Sequence, residues 1–375
     1  MLRPRLTPLT LAGLLILTAC AGAAPISTPA SPTPTATLPP EPTSPPPPTP
    51  TASPTPDPTP PPPIAWALLA ADGTAPAARE DHTWRVDPDG TSAYLFGGRD
   101  GTAVYDGLWR YDLPAGTWTQ LEPSGPAPEA RFGHEAAWVD GIGLVIFAGQ
   151  QDGTTFFNDL WADDPETNAW RELRSGGAVP AKRYGTCAAI GPDGRLWISH
   201  GFTQEGTRFS DTRAYDFATG AWTDETPAGD VPIVRCLHGC WWTDAGSFVL
   251  YAGQTTGVTA LGDLWQLRTG DGSGGHAWRN VGGELPAERN LYAATRIEGA
   301  TIVFGGQLID GSYDNGLWRF DDALAATEVT VEGGAPPGRS GAELVRDAER
   351  GRLLLFGGKG ADGAFGDLWE LSLGE

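Results

Sequence analysis

Beyond residue 64 the chain alternates short apolar runs with glycine-rich or Asp-Gly turns, and no stretch carries apolar residues at helical spacing. The runs end on a small-Gly pair at regular intervals: "LFGG" at Leu95, "IFAG" at Ile146, "ISHG" at Ile198, "LYAG" at Leu250, "VFGG" at Val303 and "LFGG" at Leu355. An arginine precedes each run: Arg79, Arg131, Arg183, Arg235, Arg289 and Arg339. The intervals between them are 52, 52, 52, 54 and 50 residues. A period of this size marks a solenoid, an array or a propeller. Within each unit, turns such as Pro88-Asp89-Gly90 and Pro114-Ala115-Gly116 separate four β-type segments. The third segment carries a phrase of the type "FFNDLW" (Phe156 to Trp161), and the fourth opens on a second tryptophan: Trp118, Trp170, Trp222 or Trp278. Each unit therefore reads as a four-stranded antiparallel sheet. Six of them around an axis bury both faces of every sheet, which accounts for the unbroken apolar runs.

The count leaves a remainder at both ends. Residue 375 follows a third strand, so the sixth sheet lacks its fourth, whereas "IAWALL" (Ile64 to Leu69) stands unpaired before the first arginine. Trp66 precedes Arg79 by 13 residues, as Trp118 precedes Arg131. The pattern predicts that this segment completes the last blade and closes the ring.

Small-Gly pairs, Asp-Leu-Trp strands and the lead-in Ala130-Arg131-Phe132-Gly133-His134 together resemble the kelch repeat over residues 64–375. The resemblance implies an all-β, six-bladed kelch-type β-propeller of the galactose-oxidase-like kind. Blade three departs from it, with Ser199-His200-Gly201 for the glycine pair and Arg213 in place of the third-strand tryptophan, and blade five lacks the fourth-strand tryptophan.

The first 63 residues are of another kind. Arg3 and Arg5 precede an apolar run from Leu9 to Leu17, which is too short to span a membrane and has the layout of an export signal over residues 1–20. Its end, Leu17-Thr18-Ala19-Cys20, resembles a bacterial lipobox. That implies a lipid on Cys20, attachment to a membrane, and a place at the cell envelope or surface. Residues 21–63 are Pro, Thr and Ser with almost no apolar side chains, a composition that forms no core and reads as an extended disordered spacer. The formal net charge is -21, and the four charges of the leading segments cancel, so the acidic excess lies on the globular part and nucleic acid is excluded as a partner. With Cys20 lipidated, Cys187, Cys236 and Cys240 remain. They allow one internal disulfide, from Cys187 to either Cys236 or Cys240.

Alternating strand direction puts the six arginines and the third-strand aspartates (Asp106, Asp159, Asp211, Asp263, Asp314 and Asp367) on one face. Two readings of the arginines stay open. Each pins a loop through turn carbonyls or acidic side chains, or together they ring the channel mouth as a site for carboxylates and other anions. The aspartates are expected to accept backbone N–H groups of the preceding turn. His82, His134 and His238 share one register, yet their blades are not all neighbours, so no metal is expected. No phosphate loop, metal spacing or catalytic triad context is present, and no cofactor is implied. Trp84, Trp138, Trp197, Trp241 and Trp242 lie outside the repeat positions and read as core filling.

Connections are longer on the arginine face, so binding is expected there, with the spacer entering opposite. The leading expectation is a non-catalytic, surface-anchored module for a protein or glycan ligand at the long-loop face. Kelch-like propellers also include copper oxidases, whose ligands find no matching positions here, and sialate mutarotases, for which Glu80, Arg131 and Glu135 would supply channel-mouth groups. A structural envelope protein is the third expectation.

Overall fold

The computed structural model describes residues 63–70, 73–203, 205–269 and 275–374; the expected export signal, the expected lipid site Cys20 and almost all of the expected spacer lie outside them. Among the described residues every regular element is a strand, and the strands form six sheets. Blade two shows the pattern: Glu135–Val139, Gly143–Phe147, Leu160–Asp164 and Ala169–Glu172 pair in that order, antiparallel throughout. The apolar run of the second strand of each blade is buried along its length, because both of its sheet faces meet a neighbouring blade.

The sixth blade is built from both ends of the chain. Ser340–Asp347, Arg352–Gly360 and Leu368–Ser372 are completed by Ala65–Leu69, with Trp66 opposite Leu371. Trp66 is only 7% exposed and packs on Phe304 of blade five. Six apolar cores follow, one per junction between blades. That between blades six and one unites Leu354 and Phe356 with Trp84, Leu95 and Trp109. Burial of each such side chain contributes about 1.5–3 kcal/mol, so the packing between blades holds the ring.

Backbone bonds close the ring as well. Asp81, Gly133, Gly185, Leu237, Leu291 and Gly341 all have left-handed φ, and each donates its N–H to the carbonyl of the previous one around the axis at 2.7–3.1 Å. The last link, Asp81 to Gly341, makes this a continuous collar of six bonds. Beyond the collar, Gly358 of blade six donates to the Arg79 carbonyl of blade one at 2.8 Å, as Gly98 does to Arg131 at 2.9 Å. Glycine is required at Gly97, where φ is +67° and a Cβ would lie 2.6 Å from the Arg131 carbonyl and 2.8 Å from the His134 ring.

The arginine face holds the connections between second and third strands and between blades. Ala65 pairs with Ser372, the far end of a strand whose near end, Leu368, follows the arginine-bonded Asp367, so the chain enters the ring on the opposite face. Turns on that opposite face are short apart from the one between Arg268 and Ala277 in blade four. Of the two disulfide alternatives, the chain takes Cys187 to Cys240, joining the first strands of blades three and four with a Cα separation of 5.7 Å. Cys236 is free and buried.

Candidate binding face and axial channel

The six repeat arginines are at most 2% exposed. Nε of each donates to the carbonyl two residues back, and Nη1 donates to the carbonyl of the first residue in the small-Gly pair. For Arg131 these are Glu129 at 3.0 Å and Ala148 at 3.1 Å. In blades two, three, four and six the guanidinium also forks onto an aspartate 28 residues on. Arg131 reaches Asp159 at 2.7 and 3.0 Å, Arg183 reaches Asp211 at 2.8 and 3.0 Å, Arg235 reaches Asp263 at 2.6 and 2.7 Å, and Arg339 reaches Asp367 at 2.6 and 2.9 Å. Two parallel N–H···O bonds to one carboxylate are the strongest arrangement these groups have. Aromatic rings cover several of the guanidinium planes, with Phe157 over Arg131 at 4.0 Å and Phe365 over Arg339 at 4.1 Å.

The same carboxylates explain the tryptophan of "DLW". The indole N–H of Trp161, Trp265 and Trp369 donates to the aspartate two residues back at 2.7–2.8 Å, and in blade three Arg213 Nε takes that place at 3.0 Å. The expectation that these aspartates cap a turn is thereby corrected: their main partners are guanidinium and indole N–H groups rather than the backbone of the preceding turn. Burial alone would raise the carboxyls of Asp263 and Asp367, but guanidinium and indole outweigh it and hold both below the usual carboxylate range.

Two aspartates do not follow the expected register. In blade five Gly316 stands two residues before Trp318, and Asp314 reaches in from four residues before, meeting Arg289 Nη1 at 2.8 Å. In blade one the equivalent position is Gly107, and Asp106, one residue out of step, is exposed and makes no ion pair with Arg79. Arg79 keeps its two backbone bonds, to Ala77 at 2.9 Å and Gly97 at 2.8 Å, and lies 4.2 Å from the Tyr105 ring. Burial pushes its guanidinium down to about 10. The arginines thus form no ring of free guanidinium groups: five are neutralised in place, and only Arg79 lacks a carboxylate partner among the described residues.

The arginine face carries four of the five exposed large apolar side chains among the described residues. Val179 and Ile233 lead up to the arginines of blades three and four, while Val258 and Ile309 tip second-to-third-strand loops. The fifth, Leu68, is on the outer edge strand of blade six. The loop tips of blades three to five are tied together by Arg208 to Thr256 at 3.1 Å and Thr259 to the Ile309 carbonyl at 3.0 Å. Toward the axis, Phe132, Phe156, Tyr184, Cys236 and Leu237 form an apolar cap.

Below the collar the axial channel is acidic. A cavity of about 100 Å³ is lined by Asp81, Glu135, Glu343 and the repeat histidines. Glu343 pairs with Arg85 at 2.7 Å. Glu135 is pushed up to about 8 by burial, against the pull of Arg85 and with the help of Glu343. Asp81 is raised in the same way by burial and by Glu80, although Arg99 stands 3.0 Å away and opposes the shift. Glu80 is itself held by Arg99 at 3.2 Å. Of the three residues singled out for a mutarotase-type site, Glu135 therefore faces the channel, Glu80 is ion-paired near the collar, and Arg131 is locked to Asp159. The opposite mouth widens to about 440 Å³, where Trp138 and Trp242 join alanines of the first strands. These two tryptophans are half-buried there, whereas Trp84 and Trp241, which also reach the cavity wall, are buried, as is Trp197. The histidines are spent on packing between blades: His134 meets Phe96 edge-on and bonds Thr83 at 2.9 Å, His82 meets Phe356, and His238 bonds the Ser199 carbonyl at 3.1 Å. Among the described residues no group of three or more His, Cys, Asp or Glu side chains is placed to hold a metal ion.

Comparison with known proteins agrees with this architecture. A family profile described as the KLHDC2/KLHL20/DRC7 Kelch-repeats domain matches residues 64–253 and 222–375. The chain belongs to the kelch-repeat family. Similar kelch proteins include Kelch domain-containing protein 10 of Xenopus tropicalis, 25% identical over 66% of this chain and 63% of that protein. Acyl-CoA-binding domain-containing protein 5 of Arabidopsis thaliana is 34% identical over 34% of this chain and 19% of its own length. Multiple epidermal growth factor-like domains protein 8 of Homo sapiens is 27% identical over 76% of this chain but only 11% of that protein. This kelch chain thus spans less than two thirds of each of these relatives. The solved structure titled "Structure of YjhT" shares the fold, with a TM-score of 0.61 at 18% identity, covering 78% of this chain and 95% of that one.

Proposed function

We propose that this kelch propeller is an exported, lipid-anchored binding module that offers its arginine-side loops to a protein ligand. The observation that carries the reading is the concentration of exposed apolar side chains at those loops, where Val258 and Ile309 sit on tips bonded to each other. Kelch membership supports it, because propellers of this family commonly serve as protein-interaction modules. The anchor rests on the Leu17-Thr18-Ala19-Cys20 sequence and the spacer on the composition of residues 21–63. The disulfide between Cys187 and Cys240 fits an oxidising compartment outside the cytosol. Because residue 64 lies on the face away from the arginines, a tether there would turn the loop face outward.

The test uses the full chain displayed on vesicles and challenged with extracellular proteins and, separately, a glycan array. The reading expects protein retention that Val258→Asp with Ile309→Asp abolishes and that Leu68→Asp, on the outer edge, leaves intact. Retention of glycans alone would replace it with a carbohydrate-binding module.

A second reading, a carbohydrate-active enzyme of sialate mutarotase type, is favoured by one feature. Glu135 is a carboxyl raised to about 8 beside the Glu343–Arg85 pair, and so suited to proton transfer near neutral pH. Its sign would be accelerated anomer exchange of a sugar acid, followed by NMR and lost in Glu135→Gln.

A further inference from the structure

The break in the arginine pattern at blade one leaves the lock position without a side chain. The backbone identifies the equivalent positions without ambiguity. The first residue of the small-Gly pair gives its carbonyl to the arginine, and its N–H bonds the carbonyl of the lock position: Ala148 to Asp159 at 3.3 Å in blade two, Gly357 to Asp367 at 3.3 Å in blade six, and Gly97 to Gly107 at 3.4 Å in blade one. Gly107 is therefore where the missing carboxylate would be. Its φ is not in the left-handed region, so nothing in the backbone demands glycine there.

The groups that hold a carboxylate in the other blades remain around this position. Arg79 is buried and its Nη2 has no acceptor among the described residues, where Arg131 and Arg339 use theirs on aspartate. A Cβ placed on Gly107 would have Trp109 Nε1 at 3.2 Å and Gln120 Nε2 at 3.8 Å as polar neighbours, both donors that make no side-chain hydrogen bond among the described residues. The position is reachable from solvent: Gly107 is itself half-buried, and the aspartates in the corresponding place of the other blades have side chains 19–28% exposed. Asp106 cannot swing in: one residue out of step, it sits where Asn158 of blade two turns away to bond the Pro180 carbonyl.

From this convergence of donors without an acceptor, we infer that blade one holds a carboxylate-binding subsite, in which a ligand's carboxylate completes the lock that Gly107 leaves open. The inference deepens the reading of the arginine face as the ligand face and rests on it. The group removed from the chain at this position is CH₂COO⁻, so an aspartate side chain of a protein ligand or a free small acid has the right size. An anionic group bound there gains a guanidinium fork and an indole donor already paid for by folding.

The experiment uses acetate as the missing side chain. Thermal unfolding of the full chain is followed in sodium acetate, acetamide with sodium chloride, and sodium chloride alone, at about 0.2 M and one pH, with an expected acetate-specific rise of about 2 °C. Gly107→Asp, which supplies its own carboxylate, should be more stable than the parent and should lose the acetate response. Arg79→Met should lose the response from the other side, and Asp159→Gly should create a second one in blade two. Should the variants fail to fold, the indole N–H resonance of Trp109 in the parent protein decides, shifting with acetate and not with acetamide. An Ac-Gly-Asp-Gly-amide peptide that competes with acetate, where its Asn counterpart does not, identifies a side chain as the ligand, and acetate without peptide competition identifies a free acid. No acetate-specific response in the parent, or an equal one in folded Gly107→Asp, overturns the subsite. Neither result bears on the Val258 and Ile309 test of the loop face, so the two claims fail separately.

Discussion

Blades one and two share length, strand order and an aromatic ring over the repeat arginine, yet they treat its charge in opposite ways. Arg131 is forked onto Asp159, whose second oxygen also holds Trp161; Arg79 has only backbone carbonyls and is pushed down to about 10. The ring closes through blade one all the same, by apolar packing and backbone bonds. The lock is therefore not needed to form a blade. Where present, it makes removal of either partner costly, since the survivor is a buried charge without compensation.

The largest effect should come from Asp159→Ala, which leaves Arg131 buried and unpaired. A loss of about 3–5 kcal/mol is expected by denaturant unfolding, against less than about 1 kcal/mol for Asp106→Ala in blade one, whose carboxylate pairs with nothing buried. Next is the seam between blades three and four, which carries the disulfide between Cys187 and Cys240. Cys187→Ser with Cys240→Ser should cost about 2–4 kcal/mol, and reduction of the parent should reproduce most of that loss.

A smaller effect separates the two kinds of buried carboxyl by pH. Glu135, with a folded value of about 8 against an ordinary value near 4.5, binds more protons folded than unfolded between those limits. Stability from this group is thus greatest at low pH and falls as pH rises toward 8. Glu135→Gln should match the parent near pH 5 and exceed it by on the order of 2 kcal/mol near pH 8. The locked aspartates have the opposite sign: held below their ordinary value, Asp263 and Asp367 contribute stability above about pH 4, lost as pH falls through their folded values.

The architecture was legible in the sequence because it is written six times. Period, glycine pairs and the spacing of Trp66 to Arg79 define the blades and their closure without any long-range contact being known. The site was less legible, because its meaning lies in single-residue offsets within that repeat. "VYDGLW" and "FFNDLW" look like one phrase, yet the aspartate of the first is one position early, and along a strand that one position turns the side chain to the other face. Asp314 misleads in the reverse sense, standing out of register and still reaching Arg289. Counting back from each tryptophan, rather than matching any Asp before it, would have exposed Gly107. The collar was not legible from residue type, since its main-chain groups belong to residues as different as Asp81, Gly133 and Leu237, although each stands two residues after a repeat arginine. The raised carboxyl of Glu135 depends on what surrounds the channel, which no local pattern encodes.

The most direct test of the lock is a pair of double-mutant cycles, with Arg131→Met and Asp159→Ala in blade two, and Arg79→Met and Gly107→Ala in blade one. The account predicts a coupling energy of about 2–3 kcal/mol in blade two and one within about 0.5 kcal/mol of zero in blade one. Equal coupling in the two blades would contradict it.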